Sequence, residues 1–199
     1  MVKRALISYW LVASVCLVGC SSSRFHFLES ARIAENCPTS EERPPAVQRL
    51  LAGHHIERGR ALVLVARTWD PGSFFTIDDE MYTKLTIEIA KYEPDVPLKV
   101  PREGLRLFYV HGASAWVRQA AGSSSAEATG TILIHKKDDD RLTAAIDVIV
   151  SGRDPTEPLD KTPQDIRIRE TRTFSRIQLE DLTPWLGTCY PSPSREVYP

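Results

Sequence analysis

The run His54-His55-Ile56-Glu57 offers two imidazoles and a carboxylate to a metal ion. Neighbouring residues on a helix or a strand point apart, whereas ligating histidines sit one helical turn apart or at alternate strand positions. The run is therefore read as an exposed loop, and no metal is expected. Asp78-Asp79-Glu80 and Asp138-Asp139-Asp140 concentrate negative charge but lack the alternating oxygen ligands and the following Gly of a calcium loop, so both read as solvated turns. Gly112-Ala113-Ser114-Ala115-Trp116 carries the Gly and Ser of a nucleophile elbow. It lacks the second Gly and sits between two strands instead of between a strand and a helix. These motifs supply no catalytic residue and no cofactor site. Side chains fit for a ligand or a partner remain: His111 and His135 in or beside strand-like segments, Trp116, and Arg167 with Arg169 on one face of a single strand. The arginine pair reads either as a strip for an anionic partner or as an edge strand guarded by charge. Trp69, Trp116 and Trp185 are expected mainly to fill core, given the apolar area an indole buries.

The N-terminus has a different character. Lys3 and Arg4 precede an apolar run from Ala5 to Val18, followed by Gly19 and Cys20. That order is the layout of a secretory signal. The run is about 14 residues, short of the roughly 20 that a spanning helix needs. The ending Leu17-Val18-Gly19-Cys20 resembles the lipobox of bacterial lipoproteins. The resemblance implies a diacylglyceryl group on the Cys20 thiol, cleavage just before Cys20 and acylation of the new amino group. Two or three acyl chains make an effectively permanent anchor, since each buried CH₂ adds about 0.8 kcal/mol. Ser21 at the second mature position, where Asp is absent, resembles the lipoproteins sorted to the outer membrane of a Gram-negative host, facing the periplasm.

With Cys16 removed and Cys20 lipidated, Cys37 and Cys189 remain. An isolated pair in an oxidising compartment is expected to form a disulfide.

The 199 residues carry 25 Lys and Arg against 26 Asp and Glu, a formal net charge of −1. No basic excess exists to neutralise a phosphate backbone, and nucleic acid is not an expected partner. The division expected is a signal peptide over residues 1–19, a lipidated Cys and tether over 20–45, a β-rich domain over 46–187 and a Pro-rich tail over 188–199.

Strand signals dominate the domain. A short helix is placed at residues 46–51. Residues 61–66 (ALVLVA) are a continuous apolar run, expected to be central and buried on both faces. Residues 81–92 alternate, with Leu85, Ile87 and Ile89 on one face. Strands are placed at 105–110 and 113–119, separated at Gly112, and a last one at 166–177. The clearest hairpin joins 129–137 to 141–151. Putting Ile132 and Ile134 on one face with Ala144, Ile146 and Val148 requires paired numbers with an even sum, and pairing Lys136 with Leu142 satisfies this. The fold class expected is mainly β, an antiparallel β-sandwich or open β-barrel-like domain with one short helix.

The function expected is that of a membrane-anchored envelope lipoprotein, held by lipid at Cys20, with a non-enzymatic β-domain that is structural or binds another envelope protein. A small apolar ligand carrier is the alternative, distinguished by an apolar cavity within the sheet. A hydrolase with a spatially assembled site is the second alternative.

Overall fold

The computed structural model describes residues 22–35, 54–70, 81–113, 117–122, 128–152 and 164–182. Ten strands form one sheet: β1 (Ser22–Glu35), β2 (His54–Arg58), β3 (Ala61–Asp70), β4 (Met81–Ile89), β5 (Leu98–Val100), β6 (Leu105–Ala113), β7 (Val117–Gly122), β8 (Ala128–Lys136), β9 (Arg141–Gly152) and β10 (Gln164–Arg176). The order β5-β8-β9-β10-β1-β3-β4-β6-β7, with β2 added to β1, curls into a nearly closed barrel. The fold is thus the mainly β, barrel-like domain expected. The short helix expected at residues 46–51 lies outside the described residues, which hold only a single 3-10 turn at Leu179–Asp181.

The β8–β9 hairpin adopts the register that parity requires. Lys136 pairs with Leu142, Ile134 with Ala144 and Ile132 with Ile146. Ile132, Ile134, Ala144, Ile146 and Val148 are all buried, and their polar strand neighbours Thr131 and His135 are exposed. Trimming one methylene there by Ile146→Val is expected to cost about 1 kcal/mol, read as a lower urea midpoint with an unchanged slope. An unchanged midpoint would place Ile146 outside the packed core.

Inward positions from every wall meet in one aliphatic core: Phe27 of β1, Leu62 and Leu64 of β3, Ile87 and Ile89 of β4, Leu105 and Leu107 of β6, Leu98 of β5, Ile146 of β9 and Phe174 of β10. A second core lies on the outside of the barrel. Leu28, Ala31 and Ile33 of β1, Ile56 of β2, Val63 and Val65 of β3, Phe108 of β6 and Leu182 pack together there. Residues 61–66 are consequently buried at every position, as their unbroken apolar run demands.

The main correction concerns residues 22–35. They are not a tether but the strand β1, paired with β3 from Ser22↔Trp69 onward and in parallel with β10 at His26↔Ser175. The alternation that marks a strand breaks within β1. Phe25 and Phe27 face the barrel interior, a bulge between Leu28 and Ala31 shifts the register, and Ala31 and Ile33 then face the second core. Glu88 accepts the Ile33 N–H at 2.7 Å and Arg106 donates to the Ile33 carbonyl at 2.6 Å, holding the shifted segment. Residues 54–57 are likewise not a loop but the body of β2, with Ile56 buried opposite Ile33. Gly112 does not stand between strands, since β6 runs through it to Ala113. β4 ends at Ile89, short of residue 92.

Candidate functional site

Ser22 of β1 lies opposite Trp69, Asp70 opposite Met81, Met81 opposite Ala113, and Gly152 opposite Gln164. These strand ends point to one end of the barrel. Toward this end the inward side chains turn from aliphatic to polar. β3 runs Leu62, Leu64, Ala66, Thr68; β4, read in the same direction, runs Ile89, Ile87, Leu85, Thr83. The polar layer leaves a cavity of about 160 Å³ lined by Phe25, Ala66, Thr68, Thr83, Leu85, Tyr109, Arg167, Ile168 and Glu170.

Thr68 and Thr83 share a hydroxyl–hydroxyl bond at 2.5 Å across β3 and β4. Glu170 accepts from the Arg172 guanidinium at 3.2 Å, and that guanidinium lies 5.4 Å from the centre of the Phe25 ring, which packs edge-on against Phe174 at 5.9 Å. Burial, and then the Glu170 carboxylate, push the Tyr109 hydroxyl above its ordinary range, so it stays a hydrogen-bond donor at neutral pH. The cavity thus combines hydroxyls and one ion pair with an apolar floor. It falls below the roughly 300 Å³ at which drug-sized ligand pockets begin.

His135 is exposed on β8, and its Nδ1 contacts the Asp95 carboxylate in the β4–β5 connection, at the rim opposite the cavity. The Asp95 N–H donates to the Ile134 carbonyl at 2.8 Å, which fixes the pair beside the strand. His111 occupies β6 opposite Thr83 of β4 and Gln119 of β7, on the cavity's side of the barrel, while its side chain lies outside the described ones. Trp116, Cys20, Cys37 and Cys189 lie outside the described residues. His111 and His135 are therefore at different ends of the molecule.

Arg167 and Arg169 share the outward face of β10, as their spacing requires. Arg167 grips Asp147 of β9 with Nε and Nη2 each at 3.0 Å from one carboxylate oxygen, and Arg169 Nε lies 3.7 Å from the same carboxylate. The Arg167 bonds hold the Asp147 carboxyl below the usual carboxylate range and raise the Arg167 guanidinium in turn. The strip is a cross-strand ion-pair cluster. Nor is β10 an edge, because β1 closes against its other side.

In β2, His55 Nε2 lies 3.3 Å from the Glu57 carboxylate, an alternate-position pair. Among the described residues no group of three or more His, Cys, Asp or Glu side chains is arranged to hold a metal ion. At the hairpin tip, Asp138 accepts the Asp140 N–H at 3.0 Å and pairs with Arg141 at 2.8 Å, the geometry of a solvated turn.

Of the cavity residues, the sequence singled out Arg167 alone as a candidate contact. One signal for them existed: in Ile166-Arg167-Ile168-Arg169-Glu170-Thr171-Arg172-Thr173-Phe174 the inward period passes through Glu170 and Arg172, polar groups in a core register. Comparison with known proteins finds no matching family model, no matching curated sequence and no matching solved structure.

Proposed function

We propose that this protein is an envelope lipoprotein, anchored by acyl chains at Cys20, whose barrel is a non-enzymatic structural or protein-binding body. The observation that carries the reading is the filled interior. From Phe174 and Leu142 at one end to Ala66 and Leu85 near the other, the barrel is packed with buried side chains, so contact with any large molecule falls to its outer surface. On β1, β3 and β6 that surface is covered by the second core. The wall of β8, β9 and β10 presents Thr131, His135, Arg167, Arg169 and Thr171 to solvent. The lipobox supports the anchor, and export supports a Cys37–Cys189 disulfide. Because β1 and β10 run parallel, the segments leading to both cysteines leave from the same end of the barrel. Thiol titration of the exported protein is expected to find neither cysteine free. Two reactive thiols would remove the bridge.

The test of the main reading is photo-crosslinking in the native envelope, with benzoylphenylalanine replacing Thr143 or Thr171 on the outward wall. Discrete protein adducts from these positions are expected. Their absence, together with a small molecule co-purifying with the barrel, would favour the alternative, a carrier of a small amphiphile. The cavity supports that second reading, with Phe25, Leu85 and Ile168 for an apolar part and Thr68, Thr83 and Tyr109 for a polar one.

A further inference from the structure

The start of β1 limits how an anchored barrel can stand. Only Ser21 separates Cys20 from Ser22, where the sheet begins. Two peptide steps span at most about 7 Å between Cα atoms. A chain anchored at Cys20 has no length with which to lift or turn the barrel, and Ser22 is held by its pairing with Trp69. The geometry points to a docking surface. The rim formed by Ser22, Ser23, Trp69, Asp70 and Met81 rests against the lipid headgroups, and the barrel stands on end on the bilayer. The inference rests on the anchor reading and adds an orientation to it.

The rim is suited to that contact. Ser22, Ser23 and Arg24 are exposed, and Trp69 and Met81 are half-buried beside them. An indole with one face packed and one edge at a polar boundary is the side chain that favours the headgroup layer. The cavity beneath this rim opens toward the same layer, since its outermost lining residues, Thr68 and Thr83, lie one residue or two inside the rim. At the other end, β4 finishes at Ile89, which pairs with Leu105, and the exposed Glu103 lies in the turn just before β6. The eight residue steps from Met81 to Ile89, corrected for strand tilt, put that turn roughly 20–25 Å from the rim. It stands more than about two Debye lengths from an anionic membrane at physiological salt.

The experiment uses the exported full-length protein in its own membrane, with benzoylphenylalanine placed at Ser23 or at Glu103 and phospholipid adducts read by mass spectrometry. At least ten-fold more lipid adduct at Ser23 than at Glu103 is expected. A second variant inserts about 20 Gly and Ser residues between Ser21 and Ser22, a flexible reach of roughly 25 Å. It should lower the Ser23 adduct several-fold while the protein still sediments with membranes. Equal adducts at the two positions, or a Ser23 signal indifferent to the insertion, would overturn the orientation. The mass of the native N-terminus in the same sample separates the two ways of failing. An acylated Cys20 with no lipid adduct at Ser23 defeats the orientation alone, whereas an unacylated, soluble chain defeats the anchor and the orientation with it.

Discussion

Gly130→Ala is expected to destabilise the protein by about 3–5 kcal/mol. Gly130 sits within β8, between partners on both sides, Val148 of β9 and Val100 of β5. Its φ of +138° is a conformation that L side chains rarely adopt. A Cβ there would lie 2.1 Å from the Asp147 carbonyl oxygen and 2.8 Å from the Val148 Cα. Both are backbone atoms of the neighbouring strand, so no change of rotamer relieves the overlap. Relief requires β8 and β9 to separate, and that ladder positions Ile132 and Ile134 in the core. Against a total of 5–15 kcal/mol typical of a domain, the loss is a large share. Equilibrium urea unfolding measures it. A cost under about 1 kcal/mol would mean that the strand relaxes and the glycine is not required.

Lys84→Met is expected to act in the opposite direction, stabilising the protein at pH 7 by about 3 kcal/mol. Lys84 is 3% exposed on the outward face of β4, beside buried Thr86. Its cross-strand neighbour is Arg67, and among the described residues no carboxylate pairs with Lys84. Burial, and then the Arg67 charge, lower its pKa from 10.5 to about 8. The lysine binds its proton more weakly in the folded state than in the unfolded one. Below about pH 8 both states carry the proton and the folded state bears the full penalty. Between pH 8 and 10.5 the unfolded state holds more protons, so stability rises with pH until the penalty is gone. The advantage of the Met variant should therefore be flat below pH 8 and shrink across that window. A variant less stable than the parent at pH 7 would show that the ammonium is well solvated or well bonded.

The regions of the fold legible in the sequence are those where one face of a strand is buried and the other is not. The β8–β9 register followed from parity alone because a slip of one residue would turn Ile132, Ile134 and Ile146 to solvent. Residues 61–66 were legible as central because nothing polar interrupts them. β1 was hidden for the converse reason. Its apolar positions serve two different cores on either side of a bulge, with Ser30 at a φ of 58°, and no single period describes Phe25, Phe27, Leu28, Ala31 and Ile33 together. Misplacing β1 also made β10 look like an edge and its arginines like a guard. The site was less legible than the fold, because the cavity draws Phe25, Thr68, Thr83, Tyr109 and Glu170 from five strands. Their adjacency comes from the closing of the sheet, which no local pattern encodes.

The pairing of β1 with β10 also sets an order of events. Among the described residues, all other ladders fall into two groups, with β2, β1, β3, β4, β6 and β7 in one and β5, β8, β9 and β10 in the other. The first group lies wholly within residues 22–122 and the second, β5 apart, within 128–176. A chain delivered N-terminus first can zip the first group while the second is still arriving. The open flank of β1 then waits for a partner about 150 residues downstream, and the parallel join, a slow and non-local contact, comes last. The same join is where the finished barrel should first open under load. Among the described residues it registers only His26↔Ser175 and Phe27↔Arg176, reinforced by the Ile177 N–H donating to the Phe27 carbonyl at 3.0 Å and by the Arg176–Glu29 pair at 2.7 Å. Amide exchange along Phe27 and Ser175 would then run ahead of exchange within either half, and the molecule would open as two half-sheets instead of fraying strand by strand.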